Sequence, residues 1–336
     1  MSRSQFRPDK AGNKTYPGSG GGDRRRIVPK AGRILFRKQQ GVALVIVLWV
    51  IALLGVIAAS YALSTRIETA LTRNWLESTQ ARALAEAGLQ IAVLELLRPA
   101  ATDDEVANKW RADGTVYESS FAGAGLRIAI ADEAGKIDLN GAPAELIDGL
   151  LQTTSMEEVE RQKLVDAILD WRDDDRLERL NGAEADEYRA AGLQYGPKNG
   201  PFDNVEELSL VLGMHAALYH ELEGALTVYT GAKGINPDVA SSRVLLAVPG
   251  IDPAQVDAYS EQKEQNVIDG LPPPPSPVID REYQTGSVGR DTYSVHVEVN
   301  IPGGAVERIA AVVRLTRYGG PFELISWQEA ADLMFE

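Results

Sequence analysis

The chain has 336 residues and no cysteine, so it holds neither a disulfide nor a thiolate metal site. Histidine is nearly as scarce: His215, His220 and His296 are too few and too scattered to suggest zinc. No Gly-rich phosphate loop follows a strand, and no nucleophile elbow marks a serine hydrolase. Charge is missing from one long stretch, since the twenty-four positions from Val42 to Thr65 are all uncharged. Positive charge is also short in the body. Residues 1–41 hold eleven Lys/Arg and two acids, a net of +9, so a total of −14 leaves −14 − 9 = −23 from Val42 onward. An acidic body argues against nucleic acid as its partner, because phosphate binding needs a cationic face. A basic head before an apolar run fits a segment held on the cytoplasmic side with the acidic body across the membrane.

The uncharged run is mostly Val, Ile, Leu and Ala. At about 1.5 Å per residue it reaches roughly 36 Å, enough to cross a ~30 Å hydrocarbon core. It is too long and too pure for a buried core helix, and too long for the apolar part of a discarded secretory signal. The helical pattern continues past Arg66 without proline, predicting one helix over residues 42–98 that Pro99 ends. Leu84, Ala87, Ile91, Leu94 and either Leu97 or Arg98 recur at helical spacing as the expected core stripe.

Two strands are expected in "GTVYESSFA" and "GLRIAIADEAG", joined near residues 122–125. "APAELIDGLLQ", "MEEVERQKLVDAILDWRDD", "NVEELSLVLGM" and "NPDVASSRVLLAVPGIDPAQVDAYSEQKEQ" read as helical. "LPPPPSP" is a stiff spacer, and "DTYSVHVEVNI" and "ERIAAVVRLTR" around "PGGA" read as a β-hairpin. The simplest architecture is α+β: the long helix packs on a four-stranded antiparallel sheet, and a large all-α domain is inserted within it. "KIDLNGAPAELIDGLL" and "GINPDVASSRVLLAVPGI" resemble each other, with Asn140 and Asn236 as expected helix-start residues. They suggest two related, SAM-like helical subdomains. The expected divisions are 1–41 as a basic leader, 42–65 as the transmembrane part of the helix, and 66–135 as the rest of the helix and first strands. Residues 136–280 form the all-α insertion, and 281–336 the closing strands.

"DWRDDDRLERLNGAEADEY" concentrates eight carboxylates between Asp170 and Glu187. Hard cations such as Ca2+ take six to eight oxygens from such clusters. Asp173 and Asp175, two apart in a turn, can both face inward, with Glu184 returning after the Asn181-Gly182 turn. The spacing is not that of an EF-hand, and a solvated acidic loop remains the plain alternative. A glycosidase-like carboxylate pair is a poorer fit: Trp171 lies on an apolar helical face and reads as core.

The junction "QQGVALVIVLWVIALLGVIAASYAL" looks like the processing site of the type IV prepilin class. With "DEAGKIDLN", the acidic block, "FDNVEELSLVLGM", "INPDVASSRVLLAVPGI" and "ERIAAVVRL", residues 36–330 resemble the K-type minor pseudopilin family of type II secretion systems. The resemblance implies a non-enzymatic, single-pass inner-membrane protein with its C-terminal domain in the periplasm. Prepilin peptidase would cut between Gly41 and Val42, leaving Val42 N-methylated. The I- and J-type minor pseudopilins are the implied partners, with the H-type and major pseudopilins as further ones. Ca2+ is implied in the insertion, where Asp173, Asp175 and Glu184 match the family's Asp-x-Asp and Gly-Ala-Glu elements. Most prepilins carry Glu at the fifth mature position; here it is Ile46, as in the K-type subunits, which implies a place at the filament tip. The rival reading is a DNA-binding module, because "VLLAVPGID" resembles the turn of helix-hairpin-helix domains. Asp252, Asp257, Glu261 and Glu264 flank that turn and oppose the reading.

Overall fold

The computed structural model describes residues 40–99, 109–285, 291–302, 306–316 and 320–329. Most of the basic leader lies outside these residues. The chain divides into two compact units, residues 1–66 and 67–336.

Helix α1 runs Gln40–Leu97. Its residues in the first unit, from Val42 onward, are all exposed, and this stretch is long and apolar enough to cross a membrane. In the second unit the helix acquires a buried face made of Ala81, Leu84, Ala85, Leu89, Ala92 and Val93. This face is rotated from the stripe expected from sequence. Leu84 is shared, but Ala87 and Ile91 are half-buried and Leu94 and Leu97 are exposed. Small side chains account for the difference. A Cβ on Gly88 would stand 2.5 Å from Val297 Cγ1, so the helix comes closest to the sheet at its small residues, with Leu84, Leu89 and Val93 filling the core beside them.

That sheet has five strands in the order β1-β2-β5-β6-β7, with every neighbouring pair antiparallel. β1 (Asp113–Phe121) turns into β2 (Ala124–Asp132) through Ala122 and Gly123, at φ 49° and 85°. Two successive positive φ values match the right-handed strand twist of a tight hairpin. β5 (Thr292–Asn300) and β6 (Val306–Leu315) form the second expected hairpin. β7 (Phe322–Glu329) adds a fifth, edge strand where four were expected. Leu126, Ile128, Ile130, Val295, Val297, Val299, Ile309, Ala311 and Val313 point to α1 and close one hydrophobic core.

The chain leaves the sheet at Asp132 and returns at Thr292. Asp132 pairs with Tyr293, so both ends of the insertion lie on adjacent strands. Closely placed ends let a large insertion fold without disturbing its host. Inside it, β3 (Ile137–Asp138) and β4 (Leu226–Thr227) form a small parallel pair. Around them stand α2 (Ala144–Gln152), α3 (Glu158–Arg172), α4 (Ala185–Ala190), α5 (Ala216–Leu222), α6 (Ser242–Leu246) and α7 (Pro253–Ile268). They share a second hydrophobic core, distinct from that of the sheet. The expected helix at "NVEELSLVLGM" is a 3-10 turn over Val205–Leu210.

The two similar segments do pack together. A Cβ on Gly149 of α2 would collide with the Ala247 carbonyl after α6, so glycine permits backbone contact. Neither asparagine starts a helix, however. Pro143 and Ser241 occupy the N-cap positions. Asn140 instead clamps Phe202, accepting from its N–H at 2.7 Å and donating to its carbonyl at 3.0 Å.

Candidate functional site: the acidic loop

The acidic block occupies the end of α3, a loop, and the start of α4. Trp171 and Tyr188 anchor its two sides, with ring centroids 6.2 Å apart, and Phe202 stacks on Trp171 at 6.0 Å. Trp171 is thus core, as its helical face suggested. The Tyr188 hydroxyl accepts from Leu212 N–H at 3.0 Å, fixing the ring.

Asp170 is fully buried. Its Oδ2 accepts from the N–H groups of Arg179 (3.2 Å) and Ala183 (3.0 Å), folding the loop back over the helix end. A Cβ on Gly182 would overlap that same oxygen, so the Asn181-Gly182 turn needs its glycine. Arg179 Nε stands 3.1 Å from Asp170 Oδ1, and its guanidinium also reaches Asp173 Oδ2 at 3.1 Å. Asp173 caps the C-terminus of α3. Glu184 caps the N-terminus of α4 in a reciprocal capping box with Glu187. Asp175 Oδ1 accepts from Leu177 N–H at 2.7 Å, and its carbonyl accepts from Asn199 Nδ2 at 2.9 Å.

Four buried oxygens in this region lack a hydrogen-bond donor: Asp170 Oδ1, Asp173 Oδ1, Glu184 Oε1 and Asn199 Oδ1. Arg179 is close enough to Asp170 Oδ1 for an ion pair but is not aligned to donate to it. Burial raises the affinity of Glu184 for a proton, and the neighbouring Asp170, Asp173 and Asp175 raise it further. Asp170 is pushed up as well, first by burial. One guanidinium therefore faces more carboxylate than it neutralises, and bare oxygens of this kind suit a hard cation. Among the described residues, no three His, Asp or Glu side chains converge at metal-ligating distances. The bare oxygens of Asp170, Asp173, Glu184 and Asn199 are of the kind that Ca2+ takes, and an ion reaching them would supply charge neutralisation and loop cross-linking, but the geometry described does not gather three of the carboxylates on one point. Asp170 and Asn199 were not singled out from sequence. Only the Asn199-Gly200 turn, with Asn199 at φ 51°, offered a signal.

Gly41 and Val42 both lie within α1, and Val42 and Ile46 are exposed. The "VLLAVPGID" segment does form a helix–turn–helix between α6 and α7, with Gly250 at φ 78°. Asp252, Asp257, Glu261 and Glu264 are all exposed beside it.

A long apolar helix running onto an antiparallel sheet, with a mostly helical domain between adjacent strands, defines a pilin-like class with a helical insertion; that domain is not all-α as expected, since the short β3–β4 pair lies inside it. Residues 129–231 match the first-domain model of type II secretion system protein K. Several curated relatives carry the name type II secretion system protein K. That of Klebsiella pneumoniae is 31% identical over 200 residues, covering 55% of this chain and 61% of its own length. That of Pseudomonas aeruginosa is 29% identical over 239 residues, covering 66% and 71%. The fold is similar to a chain in the crystal structure of the GspK–GspI–GspJ complex of the enterotoxigenic Escherichia coli type 2 secretion system. There the TM-score is 0.52 at 15% identity, over 80% of this chain and 99% of that one. Over residues 129–231 the chain is thus similar to type II secretion system protein K, and it spans 61% of the length of the Klebsiella relative.

Proposed function

We propose that the chain is the minor pseudopilin that caps the type II secretion pseudopilus and helps to start its assembly. The observation that carries this reading is the pairing of Ile46, in an apolar stretch without a carboxylate from Val42 to Thr65, with a bulky helical insertion on a pilin-like body. In a packed filament, a Glu at the fifth mature position would neutralise the terminal ammonium of the subunit ahead. A subunit with none ahead gains nothing from it, and a lone carboxylate in lipid costs roughly 2.5–3 kcal/mol. The insertion would leave little room for a like subunit above. Prepilin peptidase would cut at Gly41 and leave N-methylated Val42. The body would face the periplasm with α1 as a single inner-membrane span. The complex in which the similar fold was solved supports I- and J-type partners for this chain, and Ca2+ would brace the acidic loop.

Secretion in a strain lacking the chain tests the tip assignment. Wild type should restore export. Ile46→Glu should restore it poorly, with roughly a hundredfold less tip complex, following the cost of an uncompensated carboxylate. Full export by Ile46→Glu, with the chain found along the filament shaft, would sink the reading.

Calcium is tested separately by thermal unfolding. Excess Ca2+ at about a hundred times its dissociation constant should stabilise the chain by about 2.7 kcal/mol. Chelator should reverse this, and Asp170→Asn with Glu184→Gln should abolish it. An unfolding curve indifferent to millimolar Ca2+ would remove calcium from the proposal.

A further inference from the structure

A cavity of about 1040 Å³ opens between the insertion and the sheet face opposite α1. Its floor includes His296 on β5, which is only 9% exposed and has no hydrogen-bond partner on either ring nitrogen. Burial first, and then nearby Lys136, hold the imidazole down to about 4, so it is neutral at cellular pH. A neutral imidazole has one N–H donor and one bare acceptor, and in a buried site both call for partners. Beside it, Glu133 receives Lys136 Nζ at 2.5 Å and the hydroxyls of Ser294 and Thr227, a set that is closed on itself.

The opposite wall has a different character. Tyr219 of α5 and Tyr229 after β4 line it, together with Glu206 and Glu223. The Tyr219 hydroxyl is pushed up by burial and then by the charges of Glu223 and Glu206. Tyr229 is pushed up by burial, then by Glu133 and Glu206. Two aromatic rings and two carboxylates thus share one electrostatic neighbourhood. Arg243 lines the cavity too, but Glu221 already holds it at 3.0 Å. Glu206 meets Gln328 Nε2 at 2.7 Å and Glu223 meets the His220 ring at 3.2 Å. Among the described residues, neither carboxylate has a lysine or arginine partner.

We propose that this cavity docks a lysine or arginine side chain presented by another polypeptide. Glu206 and Glu223 receive the cationic head, Tyr219 and Tyr229 lie along the methylene stem, and His296 meets the backbone amide of the same segment. Aromatic faces with carboxylates favour a cation on an apolar stem. The cavity is larger than a lone alkylammonium needs, and a peptide group offers the donor and acceptor that His296 lacks. A polypeptide therefore fits better than a free polyamine.

Full-length protein in detergent micelles, titrated calorimetrically with capped Gly-Lys-Gly and Gly-Arg-Gly, tests this. Both should bind saturably and shift the His296 ring nitrogen resonances. Capped Gly-norleucine-Gly, and the Glu206→Gln/Glu223→Gln protein with Gly-Lys-Gly, should each bind about tenfold more weakly or worse. Should the double variant fail to fold, the lysine–norleucine comparison on wild type decides alone. Equal affinity for norleucine, or no saturable binding at millimolar peptide, would overturn the proposal. Spermidine binding more tightly than either peptide while leaving His296 unmoved would overturn it in favour of a free polyamine.

Discussion

A single buried carboxylate, Asp138, ties the start of the insertion to its middle. Oδ1 accepts from the N–H groups of Asn140 (2.9 Å) and Gly141 (3.0 Å). Oδ2 accepts from Thr230 N–H (2.9 Å), Thr230 Oγ1 (2.8 Å) and Gly231 N–H (2.6 Å). Asp138 is 1% exposed, so no water replaces it readily. Asp138→Ala should destabilise the insertion by roughly 3 kcal/mol or more, because each buried donor left bare costs about 1–3 kcal/mol. Urea unfolding reads the loss, and a change under 1 kcal/mol would show that the donors find other partners. Nothing in "KIDLN" distinguishes this aspartate from a surface turn residue, since the partners of its Oδ2 lie more than ninety positions away. The acidic loop hides its key residue in the same way. Asp170 is one of eight acids in its block of the sequence, and only the return of Arg179 and Ala183 onto its carboxylate sets it apart.

At the scale of elements, features set by local pattern were legible and those set by close approach were not. The charge-free run marked the first half of α1, alternation marked β5 and β6, and the Ala/Gly turn between two strand-like runs marked β1 and β2. β7 escaped because it is an edge strand, with one hydrogen-bonded neighbour and a burial pattern that does not alternate. The buried stripe of α1 was misjudged because hydrophobicity ranks Ile and Leu above Ala and Gly, whereas the sheet selects for small size. Two glycines separate the kinds of approach. Gly88→Ala would press on a Val297 side-chain methyl. A shift of that side chain, partly offset by the better helix propensity of Ala, makes a cost of about 1–2 kcal/mol the expectation. Gly149→Ala would press on the backbone carbonyl of Ala247, which has no rotamer to yield. It should cost the upper end of the overpacking range, about 3 kcal/mol or more, and separate α2 from α6. Unfolding midpoints of the two variants give the order, and a Gly88→Ala loss exceeding that of Gly149→Ala would contradict this account.

For the whole molecule, two groups near the sheet–insertion boundary act on stability with opposite signs. His296 is held down to about 4 by burial and then Lys136, with Glu133 opposing. Its folded form resists protonation, so the stability it contributes is present above its unfolded value of 6.5 and is lost as pH falls toward 4. Asp132 is pushed up to about 6, by burial first, then by Glu133 and Asp291, against the Ala134 N–H and Lys136. Its folded form welcomes a proton, so stability is gained as pH falls through 6 toward its ordinary 3.8. Each shift is worth roughly 2–3 kcal/mol between about pH 7.5 and pH 4, and the windows nearly coincide. The pair should therefore cancel in the wild-type protein, leaving acid sensitivity to the remaining carboxylates. His296→Leu removes the loss and keeps the gain, so its stability relative to wild type should rise by roughly 2–3 kcal/mol on acidification over that range. Asp132→Asn keeps the side-chain acceptor for Ala134 and removes the gain, so it should fall by a similar amount relative to wild type. Urea unfolding of the three proteins at both ends of the range measures the two differences. Variant curves that run parallel to wild type would mean that neither group is perturbed by its place beneath the insertion.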